Sequence, residues 1–150
     1  MAKKAVCHQL LSAVLATLVL VVEMLGCSRP TGDELASRHL RRIAGDRATD
    51  CGHVGLHQSP ATVNDCTLAA WKANRSFVVR YDVQGIDSEL VVGLASNGNG
   101  EISSVKYDSM GWSTDGLRGE KVTEDNHILL TPCPRPTKLF ASKSGYLSCY

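Results

Sequence analysis

The sequence predicts an α+β fold in which two helices pack on one face of a three-stranded antiparallel meander, in the order ααβββ, with disulfides adding stability. Two segments repeat apolar residues at helical spacing. The segments after them alternate apolar and polar residues with a period of two, which is typical of strands. Four cysteines accompany these elements, and an even set of this kind favours disulfides in an exported domain.

Residues 1–26 have the parts of a signal peptide. Lys3 and Lys4 supply positive charge, and residues 10–22 form an almost wholly apolar run. The core of a signal peptide has roughly 7–15 apolar residues, whereas a membrane-spanning helix needs roughly 20. The run of 13 residues therefore favours a cleaved signal over a spanning helix.

The sequence MLGC at residues 24–27 resembles the lipobox of bacterial lipoproteins. The resemblance implies cleavage before Cys27 and lipidation of its sulfur, which would anchor the chain to a membrane with residues 27–32 as the tether. Ser28, rather than an aspartate, follows the cysteine, which in lipoproteins implies the outer membrane and a domain that faces the periplasm. The alternative is an uncleaved anchor helix in which Cys27 has no role.

Removal of residues 1–26 leaves 124 residues, which is enough for one ordinary domain. This part has 14 Lys and Arg against 14 Asp and Glu, so it lacks the basic excess typical of nucleic-acid-binding proteins. We expect the α+β domain to cover residues 33–136 and a C-terminal tail to cover residues 137–150.

Local signals place the two helices. Thr31 or Asp33 can cap the first helix, and Gly45 ends it. Ser59 and Pro60 mark the start of the second helix, as its N-cap and its first helical residue. The apolar face of the first helix is formed by Ala36, Leu40, Ile43 and Ala44. That of the second helix is formed by Val63, Cys66, Ala70 and Ala73.

The strands of the meander are predicted over residues 77–83, 90–95 and 101–108, with the most apolar strand in the middle. The sequence NGNG before the third strand is a hairpin signal. Residues 51–58 contain two glycines and are predicted to be a loop, and residues 128–130 to return as a short strand.

The cysteines left after cleavage and lipidation are Cys51, Cys66, Cys133 and Cys149. Four cysteines allow three connectivities, and short loops close most readily. We therefore expect the local pairing, Cys51 with Cys66 and Cys133 with Cys149. A zinc site is the alternative, but it needs a closer spacing than any pair here has.

The lipobox followed by ααβββ over residues 33–108 resembles the layout of outer-membrane-assembly lipoproteins of the SmpA/OmlA type and, more loosely, the β-lactamase-inhibitor-like fold. The stretches DCGHVGL, RYDVQGIDS and KYDS resemble a group of small lipoproteins of Gram-negative bacteria. These resemblances imply a location in the cell envelope and bring no activity with them.

Two sets of residues are candidates for chemistry. Asp82, Asp87 and Asp108 are predicted to meet at one end of the meander, with Asp82 and Asp108 on the same face, where they could flank a water or a cation. The alternative is turn capping and pairing with Arg80 and Lys106. His53 and His57 are four residues apart, but their glycine-rich segment favours surface histidines over a metal site.

Two surfaces are candidates for recognition. Arg38, Arg41 and Arg42 form a basic stripe on the first helix, suited to anionic headgroups, to an acidic partner or to simple solvation. Trp112 stands among polar residues in the long loop 109–127, and an aromatic residue in such a loop is a common interface anchor. The alternatives are that Trp112 folds back over the sheet edge or that the loop has no binding role.

The sequence lacks a G-x-S-x-G element and a phosphate-binding loop, and its thiols are expected to be oxidised. We therefore expect a non-catalytic, lipid-anchored envelope protein that binds another envelope protein and has no cofactor. The alternatives are a hydrolase or metal-dependent enzyme that uses Asp82, Asp87 and Asp108, and a small-ligand binder on an open sheet face beside Val78.

Replacement of Cys27 by alanine tests the anchor. We expect Cys27→Ala to block lipidation and to leave an unprocessed precursor, because the cysteine sulfur is where the lipid would attach. Mass spectrometry and membrane fractionation measure these two effects. Cys7→Ala, within the signal segment, is the matched control. The lipoprotein prediction is wrong if Cys27→Ala is cleaved and fractionates with membranes as the wild type does.

Overall fold

The computed structural model describes residues 30–113, 121–123 and 126–149. Within these ranges the chain forms two helices, α1 (Gly32–Ala44) and α2 (Ala61–Lys72). The strands in the same ranges are, in chain order, β1 (Thr49–Val54), β2 (Phe77–Gln84), β3 (Glu89–Ser96), β4 (Ile102–Asp108), β5 (Lys121–Val122), β6 (Ile128–Pro132), β7 (Leu139–Ala141) and β8 (Leu147–Cys149).

Both helices begin close to the predicted signals. Of the two possible caps of α1, Thr31 is the one used, since its side-chain oxygen accepts a hydrogen bond from the Glu34 amide at 3.2 Å. Gly45 follows α1 with a φ of 83°, a left-handed conformation that glycine adopts readily. In α2 the N-cap position is Pro60, so the helix begins one residue later than its signal predicts.

The three predicted strands form the centre of a larger sheet. β2, β3 and β4 pair as an antiparallel meander, with Gln84 opposite Glu89 and Ser96 opposite Ile102. The sheet has six strands in the order β1-β2-β3-β4-β6-β5, and it is mixed because β1 runs parallel to β2. The α+β class is confirmed, and the expected three-stranded sheet is too small.

The strand β1 occupies part of the segment that the sequence predicts as loop. Thr49 lies opposite Phe77 and Val54 opposite Tyr81, with an irregular register between Asp50 and His53. Gly52 lies inside this irregularity with a φ of 111°. A bulge of this kind bends an edge strand without ending it, so the glycine marks a bulge rather than a loop.

The two helices lie on opposite faces of the sheet, and the expectation that they share one face is wrong. Ala36 and Leu40 of α1 pack with Val78, Val91 and their neighbours in one core cluster. Residues of α2 pack with Phe77, Val79 and Tyr81 in the other. Consecutive residues of β2 are buried on both sides, and a sheet that is apolar on both faces needs a layer against each.

Close contact between α1 and the sheet depends on Gly93 in β3. A Cβ atom at this position would lie 2.6 Å from Leu40 Cδ1 and 2.9 Å from the Val79 carbonyl oxygen. Leu40 is fully buried, so its side chain has little room to move. The absence of a side chain at Gly93 therefore sets how closely α1 approaches the sheet.

Two disulfides have the predicted local connectivity. Cys51–Cys66 joins β1 to α2, and Cys133–Cys149 joins the segment after β6 to β8, with Cα–Cα distances of 5.5 and 5.7 Å. In the chain-entropy account, a loop of about 15 residues contributes about 3 kcal/mol to the free energy of unfolding.

The C-terminal segment is part of the domain rather than a separate tail. β7 and β8 form a two-stranded antiparallel hairpin within residues 137–150. Leu147 of this hairpin is 3% exposed and belongs to the same cluster as Phe77 and Tyr81. The hairpin and α2 therefore contact the same face of the main sheet. Among the residues described, no helix combines the length and the apolarity needed to cross a bilayer.

Gly93→Ala tests the close approach of α1. We expect this change to lower the free energy of unfolding by about 1–3 kcal/mol, because the new methyl group overlaps Leu40 and the Val79 backbone. Denaturant unfolding measures the change. In a Leu40→Ala background the same substitution should have a smaller effect, since part of the overlap is gone. Equal effects in both backgrounds would contradict the packing described here.

Candidate functional site

The predicted carboxylate set does not assemble. Asp82 lies opposite Val91, which lies opposite Tyr107, whereas Asp108 lies opposite Leu90. Residues opposite one another share a face, so Asp82 and Asp108, predicted to share a face, lie on opposite faces of the sheet. The reason is the length of the connections: four residues separate β2 from β3 and five separate β3 from β4, which gives an odd offset.

Two of these three carboxylates have local hydrogen-bond partners. The Oδ1 atom of Asp82 lies 2.7 Å from His53 Nε2, within hydrogen-bonding distance. The Oδ1 atom of Asp108 accepts a hydrogen bond from the Met110 amide at 2.8 Å, and Asp87 is exposed in the β2–β3 turn. His57 lies in the turn after β1. Among the described residues, no group of three His, Cys, Asp or Glu side chains is placed to hold a metal ion.

Trp112 is held against a neighbouring segment. Its amide donates a hydrogen bond to the Asn126 carbonyl oxygen at 2.7 Å, and its Nε1 donates one to the His127 carbonyl oxygen at 3.2 Å. The side chain is half-buried. These two hydrogen bonds tie Trp112 to the segment that precedes β6. β5 lies inside the predicted loop 109–127, while residues 114–120 and 124–125 lie outside the described part of the chain.

The basic stripe of α1 is divided among different surroundings. Arg38, Arg41 and Arg42 are all exposed. Arg41 Nη2 lies 3.3 Å from Asp50 Oδ2 on β1, which makes it part of an ion pair between helix and sheet. Arg42 lines a groove of about 610 Å³ beside β5. The stripe is therefore not one continuous free surface.

Arg80 completes the polar contact between α1 and the sheet, whereas the sequence suggested it only as a partner for the carboxylates at the strand ends. Its side chain is 12% exposed and lies 3.4 Å from Asp33 and 3.6 Å from Asp50. Its Nη1 donates a hydrogen bond to Ser37 Oγ at 2.9 Å. A charge this far out of water needs such partners, so these residues stabilise the docked helix.

The sheet face beside Val78 is not open. Val78 is 2% exposed and packs in the cluster that contains α1. Two cavities that could take part in binding lie instead at one end of the sheet. β1 and β2 are parallel, so their C-terminal ends meet at this end, next to the β2–β3 turn.

Two adjoining cavities at that end form what we call the Leu56 groove. Both are lined by Leu56, Asp82, Val83 and Gln84. The first has a volume of about 270 Å³, and the second about 190 Å³. The first is also lined by Pro60, Tyr81, Ser144 and Tyr146 among others, and the second by Ser88, Glu89 and Leu90 among others.

A tight turn holds Leu56 at the surface. The Gly55 amide donates a hydrogen bond to Gln58 Oε1 at 2.9 Å, and the Gln58 amide donates one to the Gly55 carbonyl oxygen at 3.1 Å. His57 within this turn has a φ of 65°. Leu56 is 46% exposed, so an apolar side chain is fixed where both cavities open to solvent.

Tyr81 supports the first cavity from below. Its hydroxyl donates a hydrogen bond to Asn64 Oδ1 at 2.8 Å, and Asn64 Nδ2 donates one to the Gly145 carbonyl oxygen at 2.9 Å. The rings of Tyr81 and Tyr146 lie 6.0 Å apart. Burial raises the pKa of the Tyr81 hydroxyl to about 12. This network joins β2, α2 and the C-terminal hairpin, so it links the two walls of the cavity that β2 and the hairpin supply.

The chemistry of the groove suits binding. Its apolar lining comes from residues such as Leu56, Val83 and Leu90, while Asp82 and Glu89 supply carboxylates. An apolar group with a neighbouring positive charge would match this lining. The sequence analysis missed Leu56 because it lies in a predicted loop. A single leucine between glycine and histidine in a polar segment was the available signal.

Comparisons with protein-family models, with curated proteins and with solved structures give no match to this chain. Cys27 and residues 1–26 lie outside the described part of the chain.

Tyr81→Phe tests the network beneath the groove. We expect a loss of about 1 kcal/mol in the free energy of unfolding, because Asn64 loses its hydrogen-bond donor. We also expect a change in pH dependence. The pKa of a tyrosine in the unfolded chain is about 10, so the wild type loses stability as the pH rises from there towards about 12, where the folded Tyr81 ionises.

The variant has no hydroxyl at this position and should lack that part of the alkaline decline. Denaturant unfolding of both proteins between neutral and alkaline pH measures the difference. If the free energies of unfolding of the two proteins fall in parallel over the alkaline range, the raised pKa of the buried Tyr81 hydroxyl is contradicted.

Proposed function

We propose that this chain is a small lipid-anchored protein of the bacterial cell envelope that binds another envelope protein and catalyses no reaction. The observation that carries the proposal is the Leu56 groove, in which a fixed leucine, 46% exposed, lies where two cavities adjoin. Apolar residues held at the surface beside concave features are typical of protein-binding sites.

The shape of the Leu56 groove favours a polypeptide over an enclosed small molecule, because both of its cavities are open at the surface. Sites for drug-sized ligands have volumes of roughly 300–1,000 Å³ and bury most of the ligand. The two cavities measure about 270 and 190 Å³ and are open at the surface. Each can take one side chain of an extended segment. Asp82 and Glu89 favour a segment that also carries lysine or arginine.

The location follows from the N-terminal sequence and from the disulfides. The lipobox-like sequence at residues 24–27 supports lipidation of Cys27, and Ser28 supports the outer membrane with the domain in the periplasm. Two disulfides in a domain of this size support an oxidising compartment. The enzyme alternative has lost its support in geometry, because Asp82 and Asp108 lie on opposite faces.

Leu56→Asp tests the groove. The full chain is crosslinked in intact cells, captured with its membrane, and its partners are identified by mass spectrometry. We expect the wild type to capture a defined protein and Leu56→Asp to lose it, because a carboxylate replaces the apolar contact and adds to the negative charge of the groove. The melting temperature should stay unchanged, since Leu56 lies at the surface.

Phe140→Asp is the matched control. Phe140 lies on β7 with 40% exposure and does not line the groove. It should capture the same protein as the wild type. Capture by Leu56→Asp at the wild-type level would refute binding at this groove, and a small molecule bound to the wild type in place of a protein would favour the ligand-binding alternative.

A further inference from the structure

Two large apolar side chains are largely exposed in loops of the sheet. Ile86 in the β2–β3 turn is 98% exposed, and Met110 just after β4 is 75% exposed. Both values exceed those of Leu56 and Phe140, the other large apolar residues with substantial exposure in the described part of the chain. Neither side chain lines a cavity of the Leu56 groove.

The loops that carry these residues are hydrogen-bonded to each other. The Ser109 amide donates a hydrogen bond to the Glu89 carbonyl oxygen at 3.0 Å, and the Glu89 amide donates one to Ser109 Oγ at 2.9 Å. The Met110 amide donates one to Asp108 Oδ1 at 2.8 Å. Ile86 and Met110 therefore belong to one end of the sheet, on backbone that is fixed by these contacts.

The chain also enters the folded domain at this end. Gly32, the first residue of α1, is buried, and a Cβ atom there would overlap the Tyr107 ring and lie 2.9 Å from Glu89 Oε1. Tyr107 precedes the Met110 loop and Glu89 follows the Ile86 turn. The start of α1 is thus packed between the bases of the two loops.

The position of Cys27 limits how far this end can be from a membrane. Cys27 precedes Gly32 by five residues, and an extended chain spans at most about 3.3–3.6 Å per residue, so the reach is about 18 Å. A lipid on Cys27 would hold the end that carries Ile86 and Met110 next to the bilayer. The opposite end, with the β3–β4 connection, would face away.

We propose that Ile86 and Met110 contact the lipid surface directly and act as a second, non-covalent attachment. This inference rests on the proposed lipid anchor at Cys27. Apolar side chains next to a bilayer gain from burial at the boundary of headgroups and acyl chains. Glu34, Asp87 and Glu89 are exposed near this end, so the contact favours zwitterionic over anionic lipids.

Tryptophan fluorescence tests the contact. The lipidated full chain is reconstituted in phosphatidylcholine vesicles whose acyl chains carry bromine, which quenches nearby tryptophan. Ile86→Trp and Met110→Trp are the probes, and the wild type with Trp71 and Trp112 gives the background. Asn99→Trp is the matched control, since Asn99 is exposed in the β3–β4 connection. Mass spectrometry of each sample measures the lipid on Cys27.

We expect the added emission at positions 86 and 110 to shift to shorter wavelength and to be quenched, and the emission at position 99 to do neither. Anionic phosphatidylglycerol in the vesicles should weaken the quenching. If Cys27 carries lipid but position 86 is quenched no more than position 99, the inference is overturned while the anchor stands.

Two further outcomes would overturn the proposed lipid contact. If Cys27 carries no lipid, the anchor is refuted. The proposed contact of Ile86 and Met110 with the membrane then falls as well, because it rests on that anchor. The emission at position 86 could shift to shorter wavelength only when envelope proteins are added. That result would assign this surface to a protein partner and overturn the lipid contact.

Discussion

The central strands of the sheet are buried on both faces, and the rest of the structure depends on this. Val78 and Val79 are neighbours in β2 that point to opposite sides, with exposures of 2% and 0%. Each face therefore requires its own layer, α1 on one side and α2 with the C-terminal hairpin on the other. Gly93 lets α1 approach closely, and the ion pairs of Arg80 fix the helix beside β1.

The same arrangement explains why one end of the sheet carries the candidate surfaces. The parallel pairing of β1 with β2 brings Leu56 beside the β2–β3 turn. α1 starts at that end, between Tyr107 and Glu89. Both helices are already used to bury the core. The proposed binding surfaces therefore lie in the loops at the strand ends, which is where rigid scaffolds commonly carry them.

Local signals in the sequence predicted local structure well. Thr31 and Gly45 bound α1 as expected, the NGNG sequence lies between β3 and β4, and the short disulfide loops were chosen correctly. Relations between distant segments could not be predicted in the same way. Gly52 suggested a loop because the parallel partner of β1 is 28 residues away at Phe77 and cannot be read from the segment itself. The prediction that Asp82 and Asp108 share a face was wrong because one extra residue in a connection moves the side chains of the next strand to the opposite face.

The disulfides cross-link two of the segments that line the Leu56 groove. Cys51–Cys66 fixes the strand that leads to Leu56, and Cys133–Cys149 closes the hairpin that supplies Ser144 and Tyr146. A precursor in a reducing cytoplasm would have neither bond, so two walls of the groove would be less firmly held there. On the proposed export to an oxidising compartment, the groove would reach its firmly held form only after translocation, so that binding would be coupled to secretion.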